Sequence, residues 1–177
     1  MMLNKYLLSG LLGAGLLLGL HHAPRAAAAF DDNGQAATVD ALPAALPGDK
    51  EELADLLVKM AAISAKLVEG GYTVAHIEVD RLQKGQVYSA SRKFYGGNSY
   101  KIVGMGGKGI ADLDMKLVDA GGDDIAKDTA DDNVPIVDAN PRTESDYTIK
   151  VAAAALEKGA DADAEYYFCW VIAFKRK

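Results

Sequence analysis

The sequence predicts a mainly β protein, an antiparallel β-sandwich or barrel preceded by one amphipathic helix. Apolar residues recur every three or four positions over residues 50–69, which is the period of a helix with one buried face. From Tyr72 onward they recur every second position, in short segments about ten residues apart that are separated by Gly, Asp, Asn and Pro. Such segments are typical of antiparallel sheets, and a chain of 177 residues is long enough for one such domain.

The N-terminal residues 1–29 have the three parts of a secretory signal peptide. A short segment with Lys5 precedes an apolar run over residues 7–20, and small residues follow it. The run has 14 residues, whereas a membrane-spanning helix needs about 20. We therefore predict cleavage after Ala29, with Ala28 as the alternative, and a secreted or periplasmic protein with no stable membrane span after cleavage. An uncleaved membrane anchor is the competing interpretation.

The charge of the chain argues against nucleic acid as a partner. Acidic residues number 25 and basic residues 19, so the formal net charge is -6 and the isoelectric point is about 5.0. Removal of residues 1–29 takes away two basic residues and no acidic ones, which makes the net charge -8. Binding of phosphate backbones requires clustered cations. The expected partners are instead an envelope or extracellular protein or a glycan.

Residues 30–48 are rich in Ala, Pro and Gly and show no sustained period, so we expect a flexible leader. The folded domain is then expected to comprise residues 49–177. Its single cysteine excludes an intramolecular disulfide, so stability has to come from core packing. That cysteine, Cys169, lies in the apolar segment YYFCWVIAF and is predicted to be a buried thiol.

The helix is predicted over about residues 50–69. Asp49 can accept hydrogen bonds from first-turn amides, and Glu52 three residues later completes a capping-box pattern. Gly70 and Gly71 can adopt the left-handed conformation that ends a helix. The stripe of apolar side chains comprises Leu53, Leu56, Leu57, Met60, Ile63, Leu67 and Val68. We expect this stripe to pack on the sandwich.

Eight strands are predicted from the alternating segments. They cover residues 72–80, 86–95, 99–105, 111–119, 124–128, 134–138, 146–151 and 166–174. The last segment is apolar on both faces and is therefore expected at the centre of its sheet. Residues 152–165 are expected to form a long connection with at most one helical turn.

A glycine cluster at Gly104–Gly109 matches the pattern G-x-G-x-x-G and follows a predicted strand. In dinucleotide-binding folds this pattern opens a helix whose N-terminus meets the pyrophosphate. Ile110, Leu113 and Leu117 could form one face of such a helix, but the rest of the chain offers no further strand–helix–strand units. We interpret the cluster as a glycine-rich hairpin loop and keep dinucleotide binding through Gly104–Gly109 as a less favoured alternative.

Nine aspartates between residues 112 and 138 point to a calcium site. Asp112 and Asp114 are two apart on a predicted strand, so their carboxylates project from one face. Asp131 and Asp132 lie in a following loop that can bring further oxygen ligands nearby, and calcium takes six to eight such oxygens. We therefore predict that these four aspartates hold Ca²⁺, although the spacing of an EF-hand is missing. A solvated acidic edge is the alternative.

The sequence contains no credible set of catalytic residues. After removal of residues 1–29 the only histidine is His76, which alternates with apolar residues and is predicted to lie on the surface of its strand. No G-x-S-x-G or similar nucleophile motif is present, and one histidine with one cysteine does not suffice for a zinc site. Paired carboxylates can hydrolyse glycosides, but the acidic residues are too abundant to single out a pair. We therefore expect that the protein is not an enzyme.

Three segments resemble motifs of the bacterial pre-peptidase C-terminal domain. They are Gly97-Asn-Ser-Tyr100-Lys-Ile-Val, Asp112-Leu-Asp114-Met-Lys-Leu and Asp146-Tyr147-Thr-Ile-Lys-Val, and the resemblance covers about residues 85–174. It implies an antiparallel, jelly-roll-like β-sandwich of the kind that accompanies secreted peptidases. It also implies binding to substrate surfaces and, as in some similar modules, a bound calcium ion. The family usually has Gly at the position of Asp146.

Together these observations predict an exported, non-catalytic β-sandwich module that binds a protein, a glycan or an envelope component. Ca²⁺ held by the aspartates would stabilise this module, whereas a solvated acidic edge would need no ion. The alternative is a secreted hydrolase that uses paired carboxylates, and dinucleotide binding comes third.

Overall fold

The computed structural model describes residues 50–177, which form one helix and eight strands. Helix α1 comprises Lys50–Glu69. The strands are β1 Thr73–Gln83, β2 Val87–Phe94, β3 Asn98–Gly106, β4 Ile110–Asp119, β5 Asp124–Asp128, β6 Ile136–Ala139, β7 Ser145–Leu156 and β8 Glu165–Arg176. The predicted signal peptide, the leader and the helix cap Asp49 lie outside the described residues. In the described part of the chain, no helix is long and apolar enough to cross a membrane.

The strands form two antiparallel sheets that enclose a common core. Sheet A has the order β1-β8-β3-β6, and sheet B has the order β2-β7-β4-β5. The pairs β1–β8, β2–β7, β3–β6 and β4–β5 are those of one long antiparallel ribbon, in which β1 to β4 run out and β5 to β8 return. Rolled up, this ribbon is a jelly roll. The predicted fold class, an antiparallel sandwich with one N-terminal helix, is therefore confirmed.

The main hydrophobic core lies between the two sheets. Its largest side chains include Trp170 and Phe168 from β8 and Phe94 from β2, all fully buried. Strand β8 pairs with β1 on one side and with β3 on the other, and its residues 167–173 are all buried. The prediction that the last strand is central is confirmed. Because alternate residues of β8 point to opposite sides of sheet A, both sides of this sheet must be covered.

Helix α1 covers the outer side of sheet A over strands β1, β8 and β3. A second core cluster contains Leu53, Leu56, Met60 and Leu67 of the helix together with Val79, Val103, Met105, Tyr167, Cys169, Val171 and Ala173 of the sheet. The predicted packing of the apolar stripe is confirmed except at Val68, which is 56% exposed, and the buried thiol is confirmed as well. The helix also ends as predicted: Gly71 has a φ of 81°, and the Tyr72 N–H donates to the Leu67 carbonyl over 3.0 Å.

Two connections differ from the predictions. Strand β7 continues to Leu156, because Ala152 pairs with Val87 of β2 on one side and with Asp114 of β4 on the other. Alanine has little strand preference of its own, so pairing with two neighbours keeps this segment extended. The glycine cluster Gly104–Gly109 is not a hairpin loop within one sheet, since Gly104 and Gly106 belong to β3 of sheet A and residues 107–109 lead from it to β4 of sheet B. A strand follows it, where dinucleotide binding requires a helix.

Candidate functional site

The glycine cluster allows close packing where the chain passes from one sheet to the other. The Gly107 N–H donates to the Tyr167 carbonyl over 2.8 Å, and a Cβ at Gly107 would lie 2.7 Å from that oxygen. Gly109 has a φ of 96°, and a Cβ there would lie 2.2 Å from the ring of Tyr166. Gly107 is therefore required by close packing and Gly109 by its backbone conformation, which accounts for both without a nucleotide.

A shallow pocket of about 330 Å³ lies between this loop and the β7–β8 loop. Its lining consists of Glu52, Lys108, Gly109, Glu157, Lys158, Gly159, Ala160 and Tyr166. The two lysines and two glutamates balance each other in charge, and the Tyr166 hydroxyl donates to the Asp161 carbonyl. The volume is at the lower end for small-molecule sites. Among the described residues that line the pocket, no histidine, serine or cysteine is present to act as a nucleophile with a base.

The four aspartates that were predicted to bind calcium lie near one another. The Leu113 N–H donates to the Asp132 carbonyl over 3.0 Å, which holds the loop of Asp131 and Asp132 beside β4. Desolvation raises the pKa of the Asp112 carboxyl, and the negative charges of Asp114, Asp131 and Asp132 raise it further. Its Oδ1 atom is buried without a hydrogen-bond partner among the described residues. The structure thus brings the four carboxylates into one neighbourhood.

These carboxylates do not converge on one point. In the part of the chain that the structure describes, no group of three or more His, Cys, Asp or Glu side chains is arranged to hold a metal ion. The loop aspartates bind backbone amides instead: Asp132 Oδ1 accepts from the Val134 N–H over 2.8 Å, and Asp128 accepts from Ala130 and Ile136. Contacts of this kind shape loops. Calcium binding stays a prediction, and it requires the carboxylates to move closer together.

A cluster of polar side chains is buried where β1, at the edge of sheet A, faces β2, at the edge of sheet B. His76 and Glu78 of β1 are 3% and 4% exposed. Arg92 Nη2 of β2 donates to Glu78 Oε2 over 2.5 Å, and His76 Nε2 lies 3.0 Å from the same oxygen. The Tyr88 hydroxyl donates to Glu78 Oε1. The ring of Trp170 lies 5.1 Å from the His76 ring and 5.3 Å from the Arg92 guanidinium carbon.

This buried cluster has the geometry of a structural clamp. His76 Nε2 can donate to Glu78 or accept from Arg92 Nη2, which is also 3.0 Å away, but it cannot do both in one protonation state. An acid–base catalyst must reach a proton on its substrate, whereas His76 and Glu78 are almost inaccessible. A buried ion pair is retained only where good pairing offsets its desolvation. The cluster therefore links β1 to β2, the two edge strands that face each other at one edge of the sandwich.

The sequence alternation places His76 on the surface, because Ile77 and Val79 form the more apolar side of β1. That prediction is wrong: Ile77 and Val79 pack with the helix cluster, whereas His76 contacts Trp170 in the sandwich interior. The predicted helix is the feature from which the inward position of His76 could have been inferred. Its apolar stripe needs an apolar sheet surface to pack on, so the apolar side of an edge strand can face the helix and its polar side can face inward.

The outer side of sheet B carries no helix among the described residues. The open face, as we name this side, consists of Val87, Ser89, Ser91 and Lys93 on β2, Asp146, Thr148, Lys150, Ala152 and Ala154 on β7, Asp114 and Lys116 on β4, and Asp124, Ile125 and Lys127 on β5. Val118 of β4 lies on the same side of the sheet but is buried. Polar residues prevail on the open face, namely three with hydroxyl groups, four lysines and three aspartates, and none of the named residues is aromatic. The open face is therefore a polar surface available for contact with another molecule.

A comparison with models of known protein families finds no match for this chain, and a comparison with curated proteins finds none either. The resemblance to the pre-peptidase C-terminal domain therefore stays a prediction, and the function has to be inferred from the fold and its surfaces.

Proposed function

We propose that the protein is an exported, non-catalytic module that binds an envelope or extracellular protein or glycan through the open face. Export rests on the signal-peptide pattern of residues 1–29. The observation that carries the binding role is the contrast between the two sheets. Sheet A buries its inner side against sheet B, and over β1, β8 and β3 it also buries its outer side against α1, which in the described part of the chain leaves only the edge strand β6 uncovered there. Sheet B buries its inner side and, among the described residues, presents polar groups on its outer side.

The chemistry of the open face supports a polar partner. Ser89 and Ser91 are exposed and Thr148 is half-buried, and each hydroxyl can both donate and accept hydrogen bonds. The large exposed apolar side chains of this face are Val87 and Ile125, which lie on the two edge strands of sheet B. Interfaces between proteins are usually anchored by aromatic or apolar side chains near their centre. The open face therefore suits a hydrated partner such as a glycan better than an apolar one.

The burial of the reactive side chains supports a non-catalytic role. Burial raises the pKa of the Cys169 thiol to about 12, so the thiol stays protonated and is a poor nucleophile. His76 and Glu78 contact each other and Arg92 inside the sandwich, away from any substrate in solution. Each of these groups serves the fold.

A hydrolase that uses paired carboxylates is the second candidate, and one observation favours it. The pKa of the Asp112 carboxyl is raised, and a general acid needs a carboxyl that keeps its proton next to a second, ionised carboxylate. Asp114 is the candidate for that second carboxylate. The test is a panel of glycoside and ester substrates. Hydrolysis by the parent protein that is lost in both Asp112→Asn and Asp114→Asn would favour the hydrolase over the binding module.

We also propose Ca²⁺ as a stabilising ion at Asp112 and its neighbours, because a divalent cation would offset the crowding of charge that raises the pKa of Asp112. Ca²⁺ should then raise the melting temperature, and a chelator should reverse the rise. Replacement of Asp112 and Asp114 by Ala should abolish it. The matched control replaces Asp161 and Asp163, an acidic pair with the same spacing. A parent protein that does not respond to Ca²⁺ would contradict the calcium proposal.

Retention on envelope fractions tests the binding module. The processed protein should be retained, and Ser91→Trp, which places a bulky ring on the open face, should reduce retention. Val58→Trp is the matched control, since Val58 is 69% exposed on α1. No retention of the parent protein, or equal losses in the two variants, would contradict the proposal.

A further inference from the structure

We propose that the open face contains a binding site for an acidic polysaccharide, a chain of sugars that carry carboxylate groups. The site, here named the lysine row, consists of Lys150 of β7, Lys116 of β4 and Lys127 of β5. It rests on the proposed function, because it specifies the ligand that the same surface binds.

The strand register places the three lysines side by side across sheet B. Lys116 is directly opposite Lys150 on one side and directly opposite Lys127 on the other. Directly opposite residues of neighbouring strands project from the same side of a sheet. Because neighbouring strands are about 4.8 Å apart, the row is about 10 Å long. Ser89 of β2 lies opposite Lys150 and extends the row with a hydroxyl group.

The positive charge of the row is only partly neutralised. Lys116 Nζ lies 3.1 Å from Asp124 Oδ2, whereas neither Lys127 nor Lys150 forms an ion pair with a carboxylate of the described residues. Like charges directly opposite each other destabilise a sheet. A ligand with negative charges at the same spacing would relieve this repulsion. In a chain with a net charge of -6, such a ligand can be held only where cations are locally concentrated.

The shape and composition of the surface favour a polysaccharide over other polyanions. The row is a flat, extended surface with lysines about 4.8 Å apart on long flexible side chains, so it can contact carboxylates along an extended polymer. The hydroxyls of Ser89, Ser91 and Thr148 lie beside the row and can bind sugar hydroxyls. Single-stranded nucleic acid needs aromatic side chains for base stacking, and the open face has none. An acidic protein would need an apolar anchor, and the centre of the face is polar.

Binding of the purified full chain to polygalacturonate tests the site. Replacement of Lys127 and Lys150 by Gln should weaken binding about tenfold or more and should make it less dependent on salt, because fewer cations release counterions. The matched control is Lys66→Gln with Lys84→Gln, which removes the same charge from α1 and from the β1–β2 turn. This control should bind like the parent protein, and a neutral polysaccharide of the same length should not bind.

Several results would overturn the inference. Equal losses in the two double variants would mean that overall charge, not the row, controls binding. Equal or tighter binding of polyglutamate would assign the row to an acidic protein. Retention on envelope fractions without binding of polygalacturonate would overturn the acidic-polysaccharide site and leave the binding module in place. The absence of both retention on envelope fractions and binding of polygalacturonate would contradict the proposed function itself.

Discussion

The two sheets of this sandwich are alike in connectivity but differ in what covers them. Each has four antiparallel strands from one rolled ribbon, and together they enclose the main core. The outer side of sheet A is largely apolar over β1, β8 and β3 and lies there under α1, whereas the outer side of sheet B carries hydroxyls, lysines and aspartates and has no covering element among the described residues. The helix thus makes sheet A an interior layer and leaves sheet B as a surface for a partner.

The same difference extends to the two edge strands that face each other. β1 belongs to the covered sheet, so Ile77 and Val79 on its outer side pack with the helix, and the polar residues His76 and Glu78 point into the sandwich. β2 belongs to the uncovered sheet, so its residues alternate between the buried Arg92 side and the exposed Lys93 side. Coverage by the helix therefore decides which polar side chains are structural and which are free for a partner.

The largest expected effect separates the two sides of β2. Arg92→Ala should lower the free energy of unfolding by about 3–5 kcal/mol, because it leaves the buried carboxylate of Glu78 without its guanidinium partner. Lys93→Ala should have little effect on it, because the Lys93–Glu144 ion pair is exposed and screened by solvent. Urea unfolding of the two variants checks this. Similar losses would mean that the inner side of β2 is no more important to stability than the open face.

A somewhat smaller effect is expected for the contact between the helix and sheet A. Met60 is 1% exposed, so Met60→Ala should cost about 2–4 kcal/mol of unfolding free energy through lost burial and a residual cavity. Val58→Ala, two residues away on the exposed side of α1, should change it by less than about 0.5 kcal/mol. The measurement is again unfolding by urea. A negligible cost for Met60→Ala would mean that α1 does not cover the sheet.

The acidic cluster on sheet B predicts a change that depends on pH. The pKa of Asp112 is raised in the folded state, so the folded protein keeps this proton to higher pH than the unfolded chain does. Stability is therefore lost as the pH rises from the unfolded pKa through the folded pKa, because the folded state opposes ionisation of this carboxyl. Asp112→Asn should raise the melting temperature at about pH 7 without Ca²⁺, and the gain should disappear as the pH falls below the unfolded pKa. Thermal unfolding of parent and variant across that range measures it. A gain in melting temperature that persists at acid pH would mean that ionisation of Asp112 is not its cause.

The smallest effect is expected on the open face itself. Ser91→Ala and Thr148→Ala remove solvated hydroxyls that make few contacts within the fold, so each should change the free energy of unfolding by less than about 0.5 kcal/mol. The same substitutions should reduce retention on envelope fractions. Large losses of stability with unchanged retention would mean that the open face serves the fold rather than a partner.

Local pattern was enough to predict the helix, the strands and the class of fold. The helix boundaries follow from an unbroken apolar period and from the glycines that end it, and α1 comprises Lys50–Glu69 as predicted. The central place of β8 follows from its two apolar sides. These features depend on neighbours within a few residues, which the sequence displays directly.

The remaining features depend on partners that are distant in the chain. The extension of β7 through Ala152 is decided by pairing with β2 and β4, and the passage of Gly104–Gly109 between sheets is decided by which sheet each strand joins. The inward position of His76 requires knowledge that the helix covers the other side of β1. The lysine row becomes visible only once the register places Lys116 between Lys127 and Lys150.

Lysine footprinting tests most directly whether sheet B, and not the covered sheet A, meets the partner. The processed protein is acetylated with and without envelope fractions, and the modified lysines are identified by mass spectrometry. Lys93, Lys127 and Lys150 on the open face should be protected in the bound state, whereas Lys59 and Lys66 on α1 should react equally in both. Protection of the helix lysines, or of none, would contradict the assignment of the open face as the binding surface.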